Sequence, residues 1–362
     1  MSSADVATDR MSGPAGTTVK GPPTLLGLQC GRAVAALMVV VFHANAFLLP
    51  TNFYAGADAG AGWNFGYAGV EFFFVLSGFI MVLVHRADFG RPKRAPRFLW
   101  KRVMRIYPIY WIVMIGLVAI YFASPGRGPD HARDPDAILA SFLLWPTAEG
   151  PIMQVAWTLQ HEMLFYLVFA TLLLNFRVGL GIFAAWMLAC ILAVPVWTDL
   201  GHPMAFLLKP HNLLFLFGIL AAYAHERVSP AMARACFWSG TILFLGLGLS
   251  ETLGGLEPSP ALMPLGYGVG AAFAVVGLAR GGLPAPKWLV FLGDASYAIY
   301  LVHLPAMNVF AVFLKRAGLQ DILPPLAMLA LVTGLATLAG AILHVFVEKP
   351  LIRTLNRRFR IA

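Results

Sequence analysis

Two residues that could do chemistry, Arg32 and His43, lie in the first long apolar run of the chain, with only apolar or small residues between them. In an α-helix, eleven residues make roughly three whole turns and rise about 16 Å, so both side chains lie on one helix face. If this helix crosses a bilayer, the spacing predicts an imidazole near mid-membrane and a guanidinium at the cytosolic surface. A positioned imidazole can act as a general base or as a nucleophile in group transfer.

Other polar residues also fall inside long apolar runs. A charged side chain at the bilayer centre costs roughly 2.5–3.5 kcal/mol on insertion scales, so such residues indicate a functional site. We expect a polar column that runs from cytosolic arginines through central imidazoles to outer carboxylates. Its members, with their expected depths, are Arg102 and Arg105 at the cytosolic end, Asp294 two turns further in, Ser77 and His303 near the middle, and Glu71 and Glu162 about 8 Å inside the outer face.

Each of these residues also has a structural interpretation. Glu162 either serves catalysis and acceptor positioning or pairs with an arginine or tyrosine. Arg102 and Arg105, three residues apart, either hold a phosphorylated ligand or only set the topology. Ser77 lacks a G-x-S-x-G elbow, so we expect it to bond its own helix or to permit close packing with Gly78 rather than act as a nucleophile. The spacing of Ser296, Tyr300 and His303 places them on one helix face, lining a polar interior.

The composition predicts an all-α polytopic membrane protein. The chain is 59% hydrophobic and 12% charged, and apolar runs of membrane-spanning length recur. Its net charge of +9 comes from basic residues in short loops, which is typical of membrane topology rather than of nucleic-acid binding. Ten spans are predicted, at about 29–49, 66–85, 104–123, 157–175, 178–197, 208–224, 236–250, 262–279, 289–313 and 324–347.

The basic loops also predict the orientation. The loop that follows the second span and the chain end are rich in Lys and Arg, whereas the loops 50–65 and 251–261 have none. With ten spans, both termini therefore fall on the cytosolic side. Residues 1–24 are predicted to be a disordered cytosolic tail and 354–362 a basic cytosolic tail. The apolar stretch 137–148 is too short to cross the bilayer and is either re-entrant or interfacial.

Several common cofactor motifs are missing from the sequence. We find no Walker motif, no H-E-x-x-H, no cysteine pair with metal spacing and no dinucleotide fingerprint. The sequence therefore predicts no metal and no permanently bound cofactor. Group transfer and transport remain as classes of function.

Six stretches of the chain carry a joint pattern: LQCGRAVAALMVVVFHA, GYAGVEFFFVLSGFIM, RFLWKRVMRIYPIYW, WTLQHEMLFY, LGDASYAIYLVH and VEKPLIR. Together they resemble the acyltransferase 3 family of membrane-integral O-acyltransferases, especially its exopolysaccharide-acetylating branch. The stretches follow the order of the family, and the match covers about residues 25–353. Two positions depart from the pattern, because Gly31 stands where a leucine is common and Glu71 where an aspartate is usual.

The resemblance implies a bacterial inner-membrane enzyme that uses acyl-CoA, usually acetyl-CoA, as its cytosolic donor. The implied acceptor is a hydroxyl of an extracytoplasmic or lipid-linked carbohydrate. The catalytic set would be His43, Glu162 and Arg32, and Arg102 and Arg105 would join Arg32 in binding the donor.

Two mechanisms and one rival function follow from the sequence. His43 either removes the acceptor proton or carries the acyl group for a time as an acyl-imidazole. Glu162 would orient the acceptor or the imidazole, and Glu71, Ser77, Tyr300 and His303 would line the substrate path. The rival is a proton-coupled carrier or channel, in which the same polar residues line a path for protons or a solute.

Overall fold

The computed structural model describes residues 25–124, 126, 128–254 and 259–359 of the chain. These residues form helices and no β-strand, and ten of the helices are long and apolar enough to cross a membrane. They are span 1 (Leu26–Asn52), span 2 (Ala61–Asp88), span 3 (Pro92–Ala123), span 4 (Gln154–Leu174), span 5 (Phe176–Asp199), span 6 (Met204–Ala224), span 7 (Pro230–Thr252), span 8 (Met263–Arg280), span 9 (Ser296–Arg316) and span 10 (Pro325–Arg358). The predicted tail 1–24 lies outside the described residues, and the predicted tail 354–362 continues a helix as far as Phe359.

The all-α fold and the number of spans are confirmed, although span 7 is longer than the predicted 236–250. Its helix begins at Pro230 because the Ser229 hydroxyl caps it, accepting a hydrogen bond from the Met232 backbone N–H at 3.2 Å. Serine at the cap followed by proline at the first helical position is a favoured helix start. The cap adds about two turns before the first strongly apolar residues.

The predicted ninth span, 289–313, is wrong as a single helix. The chain forms a short helix, Lys287–Asp294, and then turns before span 9 begins. The short helix packs closely on span 1, where Gly293 lies against the backbone carbonyl of Gln29. Asp294 therefore ends a separate helix, with its side chain exposed, instead of lying two turns inside a span.

Spans 1 and 10 each contain a π-helical segment. In span 1 the α-helix Leu26–His43 continues as a π-helix over Ala44–Leu48. In span 10 the α-helix Pro325–Leu343 continues as a π-helix over His344–Glu348. Such segments are rare and are frequent at functional sites, so both mark places to look for one.

The stretch 137–148 contains a short helix that enters the bundle beside span 3. Before it, the Arg133 guanidinium donates to the Tyr121 carbonyl, near the last turn of span 3, at 2.6 Å. Near its end, the Tyr110 hydroxyl donates to the Ser141 carbonyl at 2.7 Å. Tyr121 and Tyr110 are eleven residues apart, about 16 Å of helix. The structure therefore favours the re-entrant interpretation over the interfacial one.

Aromatic side chains of span 3 donate hydrogen bonds to carbonyl groups at the end of this short helix, Pro135–Phe142. The Trp111 indole donates to the Phe142 carbonyl at 2.9 Å, and the Tyr107 hydroxyl donates to the Leu143 carbonyl at 2.8 Å. The last carbonyls of a helix have no partner within it, and in a membrane interior no water replaces that partner. These two side chains therefore satisfy carbonyl groups at the end of the segment, before span 4 begins at Gln154.

Spans 2 and 6 approach closely through two glycines. Gly78 of span 2 lies against the backbone of Phe215, and Gly218 of span 6 lies against the Val75 carbonyl. Small residues at such crossings let helix backbones approach each other, which strengthens packing in a membrane. This contact fixes the position of Ser77, the neighbour of Gly78.

Gly218→Ala is expected to lower the free energy of unfolding by about 1–3 kcal/mol, because the added methyl group overpacks the contact with Val75. Gly246→Ala is the matched control, since a Cβ there meets no atom within 4 Å. Thermal unfolding of both purified variants in one detergent checks the prediction. Equal unfolding midpoints for the two variants would contradict it.

Candidate functional site

Two adjoining cavities lie towards the end of the bundle that carries the 86–94 loop and the helix Lys349–Phe359, which we call the basic end. The inner cavity has a volume of about 120 Å³ and is mostly apolar, and the mouth cavity has a volume of about 510 Å³. Four residues line both cavities, namely Arg32, Arg102, Arg105 and Tyr297. The guanidinium groups therefore lie at the junction of a wide polar opening and a narrow apolar space.

Span 9 contacts both Arg32 and His43, the two residues of span 1 that could do chemistry. The Arg32 Nε donates to the Ser296 hydroxyl at 3.1 Å, and the His43 ring lies 5.0 Å from the His303 ring, centroid to centroid. The predicted common face of Arg32 and His43 is confirmed, because both side chains contact one neighbouring helix. Ser296 and His303 are fully buried, so the contact is internal.

Arg102 is held from both sides inside the bundle. Its guanidinium carbon lies 5.5 Å from the Phe98 ring centroid and 5.6 Å from that of Tyr166. One terminal nitrogen donates to the Nε2 atom of His85 at 3.2 Å, while Nε is buried without a hydrogen-bond partner among the described residues. Arg105, by contrast, is exposed. Arg102 is therefore the fixed cation of the pair, and its Nε–H is still available to a ligand.

His85 and Asp88 form a supporting network that the sequence analysis missed. A guanidinium can only donate, so the Nε2 atom of His85 must accept and its Nδ1 atom must carry the proton. That Nδ1–H donates to the Asp88 carboxylate at 3.3 Å, and Arg94 lies 3.6 Å from the same carboxylate. The His-x-x-Asp spacing beside the basic loop was the available signal, since residues three apart share a helix face.

Glu162 and Arg102 lie closer together along the bundle than predicted. It lines the inner cavity together with Arg102, and its carboxylate accepts hydrogen bonds from the Tyr166 hydroxyl and, at 3.1 Å, from the Ser77 hydroxyl. Span 4 is 21 residues long, enough to cross the membrane, so the depth of Glu162 below the outer face stays a prediction. Ser77 donates to Glu162 rather than to its own helix, while the close packing expected beside Gly78 is present.

The imidazoles of His43 and His303 form a direct pair. Nε2 of His303 lies 3.3 Å from Nδ1 of His43, which is also 2.9 Å from the Val39 carbonyl. Nδ1 of His303 lies 2.6 Å from the Tyr300 carbonyl. Carbonyl oxygens only accept, so these partners assign the proton to Nδ1 in both rings. The lone pair of His43 is consequently on Nε2, which is the atom available for base or nucleophilic chemistry.

Glu71 belongs to a separate buried cluster. Its carboxylate lies 3.5 Å from Nε2 of His211, and its second oxygen has no hydrogen-bond partner among the described residues. The Lys209 ammonium lies 3.8 Å from the Trp157 ring centroid in the same region. The Phe74 ring packs against His211 and also lines the inner cavity. One aromatic ring therefore separates this cluster from the cavity.

A loop is fixed over the outer end of span 1, immediately after His43. The buried Asn45 amide donates to the Asn64 side chain at 2.7 Å and to the Gly60 carbonyl at 3.1 Å. Its amide oxygen accepts from the Ala59 backbone N–H at 2.8 Å. Asn45 lies in the π-helical segment, so the irregular backbone and the loop form one unit beside the imidazole.

The inner cavity brings together most, but not all, of the predicted site residues. Those that line it are Arg32, Ser77, Arg102, Arg105, Glu162 and Tyr300. His43, His303 and Glu71 are not among its lining residues, and the Tyr300 ring lies between the cavity and the imidazole pair, 5.8 Å from His303. Within the described ranges, no three metal-binding side chains are grouped so as to hold an ion.

Comparison with known proteins decides the family. A family model described as an acyltransferase domain matches residues 25–345. The chain belongs to the acyltransferase 3 family. It is 33% identical over 320 residues to the exopolysaccharide production protein ExoZ of Rhizobium meliloti, with 83% of this chain and 94% of the relative covered.

Two further relatives extend the comparison. The acyltransferase MdmB of Streptomyces mycarofaciens is 28% identical, with 94% of each chain covered. The peptidoglycan O-acetyltransferase OatA of Listeria monocytogenes is 26% identical, with 79% of this chain and 49% of that protein covered. No solved structure matches the chain. The protein is thus an integral membrane acyltransferase, and the origin of its relatives agrees with a bacterial inner membrane.

The proton assignment of the imidazole pair can be measured. In ¹⁵N-histidine-labelled protein, His43 is expected to show a protonated Nδ1 and an unprotonated Nε2, because Val39 and His303 both act as acceptors for Nδ1–H. Solid-state NMR of the membrane-embedded protein distinguishes the two nitrogen types, and loss of the signals in His43→Asn identifies them. A protonated Nε2 in neutral His43 would contradict the assignment.

Proposed function

We propose that the protein transfers an acyl group, normally acetyl, from cytosolic acyl-CoA to a hydroxyl of an extracytoplasmic or lipid-linked carbohydrate. The observation that carries the proposal is the junction of the two cavities at Arg32, Arg102 and Arg105, with the imidazole pair beyond the inner cavity. The names of an exopolysaccharide production protein and a peptidoglycan O-acetyltransferase among the relatives support a carbohydrate acceptor and an acetyl group.

The mouth cavity suits the phosphate-bearing part of CoA. Lys101 and Lys349 line it together with the three arginines, which gives a cationic surface for phosphate oxygens. Guanidinium groups bind phosphate through two parallel hydrogen bonds, and Arg102 retains an unpartnered Nε for such a contact. Cytosolic access to this end follows from the positive-inside topology.

The inner cavity suits the acyl thioester. Phe73, Phe74 and Ile80 give it apolar walls, and Arg102 marks its entrance. A donor whose phosphates lie in the mouth would direct its uncharged arm into this space. The acyl group would then stop next to Tyr300, one ring away from the imidazoles.

In the direct route, His43 acts as a general base. Its Nε2 atom removes the proton of the acceptor hydroxyl, whose oxygen attacks the thioester carbonyl carbon. A C–O bond forms, the C–S bond breaks, and the departing thiolate takes the proton. General-base catalysis of this kind typically contributes 10²–10⁴-fold, and a thioester is already activated.

In the relay route, Nε2 of His43 attacks the thioester itself. A C–N bond forms as the C–S bond breaks, and the thiolate leaves with the electron pair. The acceptor oxygen then attacks the acyl-imidazole, the C–N bond breaks, and the freed imidazole takes the hydroxyl proton and passes it to the thiolate. His303 supports both routes, because it accepts from Nδ1–H of His43 and thereby keeps the lone pair on Nε2.

Glu162 has a different role in this structure from the one that the sequence suggested. It contacts Tyr166 and Ser77 rather than an imidazole, and it shares the inner cavity with Arg102 and Arg105. We propose that it compensates the charge of these arginines and positions Arg102 through the Tyr166 ring. Acceptor positioning is then left to groups nearer His43.

The rival function is a proton-coupled carrier or channel. Membership of an acyltransferase family disfavours it. The Tyr300 ring and the imidazole pair also interrupt the polar path between the inner cavity and the far end of the bundle. Solute uptake is therefore an outcome to be tested and not a second proposal.

His43→Ala is expected to abolish acyl transfer, because it removes the only atom proposed as base or nucleophile. The measurement is incorporation of labelled acetyl from acetyl-CoA into oligosaccharides by protein reconstituted in vesicles. His202→Ala, which alters an exposed loop histidine, is the control and should keep normal turnover. Near-normal turnover by folded His43→Ala would refute the assignment. Labelled acyl on His43 in quenched samples without acceptor would select the relay route over the direct one.

Acetyl-CoA is expected to stabilise the purified protein against thermal unfolding. A ligand present at 100 times its Kd adds about 2.7 kcal/mol to the free energy of unfolding. Arg102→Gln should weaken acetyl-CoA binding about 10- to 100-fold, because a charge-assisted phosphate contact is lost. Arg227→Gln, an exposed arginine away from both cavities, is the control. Absence of any shift with acyl-CoA, together with solute uptake by vesicles, would favour the carrier.

A further inference from the structure

Thr158 and Tyr300 are the polar groups of the inner cavity that lie farthest from the basic end. Span 4 runs towards that end, and Thr158 is its first cavity-lining residue. Span 9 runs the opposite way, and Tyr300 is the last of its residues that line the cavity, after Ser296 and Tyr297. The two hydroxyls therefore meet at the inner end of a mostly apolar space.

The two hydroxyls share a single backbone acceptor. Thr158 Oγ1 lies 2.9 Å from Tyr300 Oη and 3.0 Å from the Val155 carbonyl, and Tyr300 Oη lies 3.1 Å from that carbonyl. Three oxygen–oxygen contacts thus compete for two hydroxyl protons, so one contact always lacks a proton. A ligand oxygen in the cavity can accept one proton while Val155 keeps the other.

We propose that Thr158 and Tyr300 form an oxyanion-stabilising pair for the thioester carbonyl of the acyl donor. This inference rests on the proposed acyl transfer and adds a binding site for one atom of the donor. Tyr300 becomes a catalytic residue instead of a lining residue, and Thr158 joins it. Hydroxyl donors suit this task because they are uncharged and can lie in an apolar space without a counter-ion.

Acyl transfer needs hydrogen-bond donors at the carbonyl oxygen of the thioester. When the nucleophile adds its electron pair to the carbonyl carbon, the C=O π pair moves onto oxygen, which becomes negative. Hydrogen bonds from Thr158 and Tyr300 stabilise that charge. The oxyanion then re-forms C=O, and the C–S bond breaks. The thiolate leaves with the electron pair of that bond and takes the proton that the acceptor hydroxyl released. Removing one such donor typically lowers kcat by 10²–10³-fold.

The position relative to the imidazoles agrees with this role. The Tyr300 ring lies 5.8 Å from the His303 ring, which lies 5.0 Å from the His43 ring. A carbonyl held by Thr158 and Tyr300 would therefore lie at the end of the cavity nearest the imidazole pair and farthest from the arginines, with the Tyr300 ring next to His303. Phe73, 6.2 Å from the Tyr300 ring, closes the adjacent wall.

The test compares variants that remove one hydroxyl at nearly constant shape. Thr158→Val and Tyr300→Phe should each lower kcat for acetyl transfer to a panel of short oligosaccharides by about 10²-fold. Affinity for S-ethyl-CoA, a thioether without the carbonyl oxygen, should change less than twofold. Thr158→Ser, which keeps a hydroxyl, should restore most of the rate. Tyr223→Phe, which removes the hydroxyl of an exposed tyrosine that lines neither cavity, controls for loss of a tyrosine hydroxyl.

An infrared measurement tests the contact between the carbonyl oxygen and the two hydroxyls in the absence of an acceptor carbohydrate. The carbonyl stretch of ¹³C-labelled acetyl-CoA should move to lower frequency on binding to the wild-type protein, because the hydroxyls polarise the bond. The shift should be smaller in Thr158→Val and in Tyr300→Phe and should persist in Thr158→Ser. A purely structural role would not change the carbonyl frequency.

The outcomes separate this inference from the proposed function. If the wild-type protein neither binds acetyl-CoA nor transfers acetyl, the proposed function fails. If the wild-type protein transfers acetyl but both single variants keep kcat within threefold and an unchanged carbonyl frequency, only the oxyanion pair is overturned. Loss of rate with an equal loss of S-ethyl-CoA affinity would likewise overturn it.

Discussion

The cost of keeping guanidinium groups inside an apolar helical bundle is the constraint on which the site depends. A cation at membrane depth must have hydrogen-bond acceptors, counter-charges or an opening to water. Arg32 has the Ser296 hydroxyl, and Arg102 has His85 and two aromatic faces. Glu162 lines the inner cavity and Glu348 the mouth cavity, so each space also contains a carboxylate. Each cation is thus compensated without being enclosed, which leaves it able to bind an anion.

Span 4 supplies the groups that lie opposite these cations. Its first helical turns line the inner cavity, directly after the segment that packs along span 3. Thr158 contacts Tyr300, and Glu162 contacts Ser77 and Tyr166. The order of these residues along span 4 therefore sets the order of polar groups along the cavity.

The sequence was sufficient for the features that depend on one helix or on composition. The ten spans and the common face of Arg32 and His43 follow from hydropathy and helical spacing. The contacts of Glu162 with Ser77 and Tyr166 could not be predicted, because they depend on how separate helices pack. The turn after Asp294 was also missed, since it accompanies close packing of Gly293 on span 1 and hydropathy does not report packing. The spacing of His85 and Asp88 was visible in the sequence, but their role beside Arg102 required the packing of spans 2 and 3.

The rings of Tyr300, His303 and His43 have a consequence for the energy balance of the cell. A deep cavity on one side of a membrane shortens the insulating layer, so the transmembrane voltage falls across fewer residues. These three rings, with Phe73 beside them, place packed side chains between that cavity and the far end of the bundle. In the proposed transfer, an uncharged acyl group would cross such a layer while ions are held back. The proposed transfer would then proceed without dissipating the proton gradient.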